Sequence, residues 1–251
     1  MENLIITTAV KEKDAMIQLA LQLSQDWNVP YIKRQKQTIQ QLIKQFGNVL
    51  IVYSDKLEYV HEDGTKLFFH PNTAVIRIRQ GYDPLSELVG SGKTILDCTM
   101  GLAGDSIVMA HHHNHVTAIE YDPIIYTVVK HGLKQFKDVE ETIQKAMHRI
   151  DCVHDDFSNY LKQQNSDSID VVYFDPMFSE TIKESKNIQG IQSRQKYVAL
   201  TQDDINEAKR VCKECVVIKA HFRDDVFERF GFQRHVRENT KFHYGVWKKS
   251  Q

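Results

Sequence analysis

No long apolar segment occurs in the 251-residue sequence. No apolar run approaches the roughly 18 residues that a membrane-spanning helix requires, so we expect no membrane segment. The segment 1–10 also lacks a basic start followed by an apolar stretch long enough for a secretory signal. We therefore expect a soluble, cytoplasmic protein.

An excess of charge of either sign is also missing. The chain has 32 Lys and Arg residues against 33 Asp and Glu residues, for a net charge of −1. Nucleic-acid-binding proteins are often basic overall, so any RNA-binding surface must be a local patch. The hydrophobic fraction of 41% is sufficient for a sizeable core. The length fits one large domain, or one domain with a smaller partner.

Cysteine is scarce, with four residues in the chain. Cys98 and Cys152 lie in apolar runs and are interpreted as small buried hydrophobic side chains. Cys212 and Cys215 have the spacing of redox or zinc sites, but no second cysteine pair supports zinc, and a helix end that runs into a strand is the simpler interpretation. The histidine-rich tract 111–115 falls where a helix should turn into the next strand, which favours a solvated loop. We therefore expect no metal site.

The first 88 residues predict a small α+β domain that contributes to substrate recognition. A hairpin signal occurs at Asp63-Gly64, between two apolar runs. Strands are predicted at 4–6, 29–32, 49–53, 56–60, 66–69 and 74–78, with helices through 16–23 and 39–43.

Residues 89–251 show strict alternation of strands and helices, which predicts a mostly parallel sheet covered on both faces. Ligands bind beyond the carboxyl ends of the strands in such sheets, at the point where the strand order reverses. Strands are predicted at 94–98, 116–120, 148–152, 169–174 and 214–219, with a final hairpin at 231–236 and 242–247. Helices are predicted at about 105–111, 123–136, 156–163, 203–211 and 223–229.

The loop after the first of these strands lacks the Gly-x-Gly-x-x-Gly pattern of dinucleotide-binding proteins. It contains Gly101 and Gly104, which allow a ligand to approach the backbone, and it leads to a helix with free N–H groups. Asp97 and Asp105 lie at its two ends. Acids in these positions suit a cationic ligand such as S-adenosylmethionine, although glycine-containing turns of this kind are common.

Acidic residues also end the next two strands. Glu120 follows Asp97 by 23 residues and is expected to accept hydrogen bonds from the two ribose hydroxyls of a nucleoside; the alternative is a surface acid before a turn. After the third strand, Asp155 or Asp156 would accept from an adenine amino group, and Phe157 would pack on the ring. Asp156 also precedes a helix, so an N-cap is a compatible alternative.

The fourth strand ends in Asp175-Pro176-Met177-Phe178. The carboxylate of Asp175 and the carbonyl of Pro176 can accept both hydrogens of a planar amino group and so localise its lone pair, while Phe178 stacks on the base. Catalysis would then consist largely of positioning. In the alternative interpretation Asp175 caps a helix and Phe178 lies in the core.

These motifs resemble the class I S-adenosylmethionine-dependent methyltransferases and, more narrowly, the RsmJ family, which methylates a guanine exocyclic amine in small-subunit ribosomal RNA. The likeness extends over about 94–247. It implies a Rossmann-like seven-stranded sheet in a methyltransferase domain at 89–251, and S-adenosylmethionine as cofactor. Three positions depart from the family, which tends to have glycine at Ala103 and arginine at Gly104 and Tyr121. The resemblance implies cofactor contacts at Gly104, Asp105, Glu120, Tyr121, Asp156, Phe157 and Asp175.

The predicted function is N-methylation of guanine N2 in small-subunit ribosomal RNA, either as RNA or in its particle. The segment 181–197 carries four basic residues and one acid, which suits phosphate contacts or a solvated loop. The alternative is methylation of another RNA, a small molecule or a protein side chain. Cytosine C5 methylation is disfavoured because no cysteine lies beside Pro176, and a non-catalytic binding module is disfavoured by acids at four strand ends.

Overall fold

Two sheets organise the chain in the computed structural model, which describes residues 3–176, 200–238 and 240–250. The first sheet is formed by β1 (Leu4–Thr8), β2 (Asn48–Val52), β3 (Leu57–Val60) and β4 (Lys66–Phe68), in that order. Strand β1 is parallel to β2, whereas the later neighbours are antiparallel. The antiparallel pairing of β3 with β4 confirms the hairpin predicted around Asp63-Gly64. Helices α1 (Asp14–Trp27) and α2 (Ile39–Phe46) accompany this sheet.

Two strands predicted in this half are wrong. The segment 29–32 forms one parallel bridge, between Ile6 and Tyr31, rather than a strand. The segment 74–78 lies in helix α3 (Asn72–Arg79). The consecutive residues Ala74 and Val75 are both buried and Ile76 is 58% exposed, so burial does not alternate as it would along a strand. A short helix α4 (Pro84–Val89), which was not predicted, follows after an N-cap at Asp83.

The second sheet confirms the predicted Rossmann-like architecture. Its seven strands have the order β10-β11-β9-β8-β5-β6-β7. The five strands from β9 to β7 run parallel, and β11 is antiparallel to both of its neighbours. The strands are β5 (Thr94–Asp97), β6 (His115–Glu120), β7 (Ile150–His154), β8 (Ile169–Phe174), β9 (Cys212–His221), β10 (Gln233–His235) and β11 (Phe242–Lys248).

Helices link these strands, and their ends carry local capping signals. Asp122 accepts from the N–H groups of Ile124 and Ile125 at the start of α6, and Thr201 forms a capping box with Asp204 at the start of α9. Helix α7 was not predicted. The helices are α5 (Gly104–His111), α6 (Pro123–Gln135), α7 (Glu141–His148), α8 (Phe157–Gln163), α9 (Gln202–Val211) and α10 (Val226–Arg229).

The strand order reverses between β5 and β8. From β5 the chain continues outward through β6 and β7, and then returns to form β8 and β9 on the other side of β5. The crevice beyond the carboxyl ends of β5 and β8 is therefore the expected place for a ligand.

Consecutive residues along the strands pack into different cores. Ile95 belongs to a cluster that also contains first-sheet residues such as Tyr59, whereas Leu96 belongs to a cluster on the opposite face. Helix α6 approaches the first sheet so closely that a Cβ at Gly132 would lie 2.3 Å from Phe69. Because one core is continuous across both sheets, the division into domains at 88/89 stays a prediction.

The cysteine and histidine motifs have structural explanations. Helix α9 ends at Val211 and β9 begins at Cys212, which confirms the simpler interpretation of the Cys-x-x-Cys spacing. The tract 111–115 likewise spans the end of α5 and the start of β6. The described residues contain no group of three or more side chains arranged to hold a metal ion. Among the helices in the same parts of the chain, none is long and apolar enough to cross a membrane.

Candidate active site

The predicted acidic residues lie along one edge of the second sheet. In the parallel register Asp97 pairs with Tyr173, two residues before Asp175, and Glu120 pairs with His154, immediately before Asp155. Since β8, β5, β6 and β7 are neighbours in that order, the residues that follow their carboxyl ends share one rim. The structure thus brings together the four strand ends identified in the sequence.

The loop between β5 and α5 connects three of these acids through its backbone and one hydroxyl. The N–H of Thr99 donates to Asp97 Oδ1 at 3.0 Å, and the Thr99 hydroxyl oxygen accepts from the N–H of Asp175 at 2.7 Å. The N–H of Gly101 donates to Glu120 Oε2 at 3.1 Å. One short loop therefore fixes the relative positions of the acids on β5, β6 and β8.

The start of α5 leaves room for a ligand. A Cβ built on Gly104 would meet no atom within 4 Å, so the helix begins against open space. The preceding residue, Ala103, is buried and adopts the left-handed conformation with φ 59°. Glycine adopts this conformation at lower cost, which explains why the resembled family tends to have glycine at this position.

Asp97 and Glu120 are buried carboxyl groups with raised pKa values. Burial raises the pKa of Asp97 to about 7, and the negative charges of Asp105 and Asp175 add to the effect, although hydrogen bonds from Ser106 and Thr99 oppose it. Burial likewise raises the pKa of Glu120 to about 7, against hydrogen bonds from backbone N–H groups. A ligand that brings a positive charge or hydroxyl donors would stabilise the ionised forms.

The acidic groups of the rim fit S-adenosylmethionine, which carries hydroxyl donors and positive charge. Glu120 accepts from the N–H groups of Gly101 and Asp122 and is 6% exposed. A carboxylate offers about four acceptor sites, so acceptor capacity remains for a ribose hydroxyl group. Asp97 accepts from Thr99 and from Ser106, which precede and follow Gly104 in the chain, and it would carry a negative charge when it is ionised.

Asp105 has a different environment from the other acids. Its carboxylate contacts Arg77 of α3, accepts from the Tyr173 hydroxyl at 2.7 Å and accepts from Lys219 Nζ at 2.9 Å. These two cations hold the pKa of Asp105 well below its usual range despite its burial. Sequence reasoning treated Asp105 as a cofactor contact; the structure shows three protein partners, and the cofactor contact stays a prediction.

Asp175 shares one of these cations. Lys219 Nζ lies 2.6 Å from Asp175 Oδ2, and the Asp175 side chain remains 31% exposed. Burial and the charge of Asp105 raise the pKa of Asp175 to about 6, while Lys219 opposes the increase. Pro176 is partly buried beside it, whereas Met177 and Phe178 lie outside the described residues, so the predicted stacking contact of Phe178 stays a prediction.

The end of β7 combines a helix cap with aromatic packing. Asp156 accepts from the N–H of Ser158 at 2.8 Å, which confirms its N-cap role, and Asp155 accepts from the N–H of Asp156 at 2.7 Å. Phe157 is partly buried and packs edge-on against Phe174, with ring centroids 5.7 Å apart. The adenine contacts expected of Asp155 or Asp156 and of Phe157 stay a prediction.

Tyr121 is accessible at the same edge. Its side chain is 53% exposed, and its carbonyl accepts a hydrogen bond from His154 Nε2 at 3.0 Å. The His154 ring in turn stacks on Tyr126, with centroids 5.2 Å apart. The aromatic side chain therefore stands at the rim in place of the arginine that is usual in the resembled family.

Sequence reasoning assigned no role in the site to its two cations, although the segment 216–219, which ends in Lys219, also fits the resembled family. Lys219 interrupts the apolar run Val216–Ile218 near the end of a buried strand, which is a usable signal for a functional charge. Arg77 gave no such signal, because it lies in the segment 74–78, which the sequence predicted to be a strand.

Comparisons with known proteins agree with this fold and show the family of the chain. A family described as "Putative SAM-dependent methyltransferase" matches residues 81–240. "Uncharacterized protein YpiP" of Bacillus subtilis is 37% identical over 96% of this chain and 98% of its own length. The solved structure of a SAM-dependent methyltransferase from Neisseria gonorrhoeae superposes with a TM-score of 0.66 at 19% identity, covering 97% of this chain and 95% of that one.

Two further relatives carry a more specific name. "Ribosomal RNA small subunit methyltransferase J" of Hydrogenovibrio crunogenus is 33% identical to this chain. The match covers 53% of this chain and 49% of that protein. The protein of the same name from Desulfotalea psychrophila is 27% identical, with 69% of each chain covered. The matches to these named proteins are thus partial in length.

Proposed function

We propose that this chain, which belongs to the SAM-dependent methyltransferase family, methylates an exocyclic amine of a nucleobase, namely guanine N2 in small-subunit ribosomal RNA. S-adenosylmethionine is its cofactor. The observation that carries the proposal is the position of Asp175-Pro176, at the end of β8 and at the point where the strand order reverses, with its backbone joined to the loop after β5.

Several residues of the rim would hold the cofactor. Asp97 would face its amino group, Glu120 its ribose hydroxyls, and Asp155 or Asp156 its adenine amine, with Phe157 against the ring. Gly101 and Gly104 keep the loop backbone open to it. When bound, S-adenosylmethionine supplies an electrophilic methyl group on a positively charged sulfur.

Asp175 and Pro176 would prepare the acceptor amine. An exocyclic amine is a poor nucleophile because its lone pair is delocalised into the ring. Hydrogen bonds from its two hydrogens to the Asp175 carboxylate and the Pro176 carbonyl would localise that lone pair and orient it. This requires an ionised Asp175, since a protonated carboxyl group offers fewer acceptor sites.

The ribosomal substrate is supported by the relatives. Two partly matching proteins are named "Ribosomal RNA small subunit methyltransferase J", and they are 33% and 27% identical to this chain over the matched parts. A paired or stacked guanine would first have to be exposed, at a cost of about a few kcal/mol. The basic segment 181–197 is a candidate for phosphate contacts and lies outside the described residues.

Labelled methyl transfer tests the proposal. Small-subunit particles and naked small-subunit RNA from a strain that lacks the protein are incubated with tritiated S-adenosylmethionine and enzyme, and the RNA is digested to nucleosides. We expect the label in N2-methylguanosine. Label in another nucleoside would move the target to a different base. Label in protein or small molecules alone would favour the alternative substrates.

A further inference from the structure

We propose that Lys219 is a positioning residue for methyl transfer, which holds the Asp175 carboxylate ionised and fixed in orientation toward the acceptor amine. This inference rests on the proposed function, in which Asp175 binds the amine. It adds a residue to the site whose role follows from contacts that only the folded chain creates.

Lys219 bridges two carboxylates that flank the site. Its Nζ lies 2.6 Å from Asp175 Oδ2 and 2.9 Å from Asp105 Oδ2, and its side chain is 19% exposed. Charge-assisted hydrogen bonds of this length restrict the rotation of a carboxylate. With Oδ2 held by Lys219, Asp175 has a defined direction in which to present Oδ1.

The far side of the bridge is anchored to the N-terminal half of the chain. Asp105 contacts Arg77 on α3 and accepts from the Tyr173 hydroxyl at 2.7 Å. Arg77 in turn donates to both oxygens of Asp83, at 2.7 and 3.0 Å. Lys219 is therefore tied, through Asp105, to a network of hydrogen bonds and ion pairs that reaches α3 and Asp83, which restrains the position of its Nζ beside Asp175.

The charged and titratable groups around Asp175 come from six elements and the segment before α4. Among the described residues, negative groups face it from β5 and α5, the adjacent cation comes from β9, and a second cation on α3 faces Asp105 rather than Asp175. Within that part of the chain, removing Lys219 would therefore leave Asp175 beside like charges with no adjacent cation. The groups concerned are Asp97, Asp105, Lys219, Arg77, Asp83 and the hydroxyls of Tyr173 and Tyr244.

The test is a Lys219→Met variant, because methionine keeps the length of the side chain and removes the charge. An opposite charge at this range lowers the pKa of a carboxyl group by about 1 to 3 units, so its loss should raise the pKa of Asp175 by a similar amount. The acidic limb of the kcat/KM profile for methyl transfer to small-subunit particles should move to higher pH by at least one unit. Activity lost at pH 7 should then recover in part at pH 9.

A matched control lies on the same pair of strands. Lys213 Nζ lies 2.9 Å from Asp170 Oδ1 at the opposite ends of β9 and β8. Lys213→Met should leave the pH profile unchanged, whereas Lys219→Arg, which keeps the charge, should keep the acidic limb within about half a pH unit of the wild type. An equal loss of activity at every pH in Lys219→Met would indicate a purely structural role and overturn the inference.

A direct titration separates this inference from the proposed function. The side-chain carboxyl carbon of Asp175 is followed by NMR in protein labelled with ¹³C-aspartate, and its signal is assigned with Asp175→Asn. The midpoint should rise in Lys219→Met. The Asp175 midpoint should fall in Asp105→Asn, because this variant removes a like charge. Asp105→Asn provides the second measurement if Lys219→Met does not fold. Unchanged midpoints in folded variants would refute the inference. Shifted midpoints without RNA methylation would instead refute the proposed function.

Discussion

The backbone N–H of Asp175 donates a hydrogen bond to the hydroxyl oxygen of Thr99 over 2.7 Å. The two residues are 76 positions apart in the chain, and they join the loop that follows β5 to the end of β8. The same loop contacts Asp97 and Glu120 through its backbone. The proposed amine-binding residue and the proposed cofactor-binding residues are therefore held by one short segment.

Thr99→Val is expected to reduce methyl transfer about tenfold or more. Valine has nearly the shape of threonine but cannot accept the Asp175 N–H, and an unsatisfied buried donor costs about 1–3 kcal/mol. Steady-state kinetics and thermal unfolding would measure the effect. Thr99→Ser retains the hydroxyl and should stay close to wild-type activity; a serine variant as impaired as the valine variant would point to packing instead.

Asp175→Asn should abolish methyl transfer and leave a folded protein. The amide cannot supply two acceptor oxygens and would present its NH₂ group either to Lys219 or to the substrate amine. Asp170→Asn is the matched control, since Asp170 lies on β8, pairs with Lys213 and is remote from the rim. Both variants would be compared by circular dichroism and by label incorporation. Transfer near the wild-type rate in Asp175→Asn would remove its catalytic role.

Glu120→Ala should weaken the binding of S-adenosylmethionine about 10- to 100-fold, since hydrogen bonds to a charged group contribute about 1.5–3 kcal/mol. Isothermal titration calorimetry is the measurement. Glu141→Ala, at an exposed acid on α7 whose side chain is 77% accessible, is the control. Equal affinities of wild type and Glu120→Ala would contradict the ribose contact.

The affinity for S-adenosylmethionine should also depend on pH. The pKa of Glu120 is raised to about 7 by burial, and the proposed contact with ribose hydroxyls would favour its ionised form. Affinity should therefore increase with pH through this range, by about tenfold between pH 6 and pH 8. Binding at pH 6 should release protons, which calorimetry detects by comparing buffers of different ionisation enthalpy. The affinity of Glu120→Ala for S-adenosylmethionine should depend less steeply on pH, and the dependence that remains should come from Asp97.

Asp97→Asn should stabilise the protein without ligand at pH 8 and have little effect near pH 4. The pKa of Asp97 is raised to about 7 in the folded protein, so between about pH 4 and 7 the folded chain retains a proton that the unfolded chain has released. Stability is lost as the pH rises through this range. Asparagine avoids this loss, about 2–4 kcal/mol, and can still accept from Thr99 and donate to Ser106. Urea unfolding at several pH values would measure the difference in unfolding free energy between Asp97→Asn and the wild type. A difference that does not change with pH would contradict the raised pKa of Asp97.

The same Asp97→Asn variant should bind S-adenosylmethionine more weakly, because its neutral side chain no longer attracts an amino group. Stability and binding would thus change in opposite directions at one position. This separates a residue retained for binding from one retained for the fold. An unchanged affinity would place the amino group elsewhere.

Local patterns predicted most of the second sheet correctly. The apolar run Ile169–Phe174 predicted β8, and the turn residues at 122–123 marked the start of α6. These assignments succeeded because buried parallel strands have continuous apolar runs and helix starts have characteristic capping residues. Helix α4 carried similar signals in Asp83-Pro84 and Gly90 that were not used.

The mistake at Ala74–Ile78 has a tertiary cause. Its β-branched residues alternate with arginine, which locally favours a strand. In the folded chain Ala74 and Val75 pack into the core, and Arg77 pairs with Asp83 and Asp105, so helix α3 forms against the strand preference. Helix α7 shows the reverse case, since its buried positions at 143, 146 and 147 have helical spacing that the sequence already displayed.

The order of strands and helices in the second half, and the acids at four strand ends, were determined by the sequence itself. Hydrophobic periodicity and capping act between residues close in the chain, so these features can be identified without coordinates. Only the tertiary structure decided which cation pairs with each acid. Lys219 meets Asp105 across 114 positions and Arg77 meets it across 28, and such pairings depend on how distant elements pack. A charged side chain is compatible with many partners, and the folded chain selects among them by distance and burial.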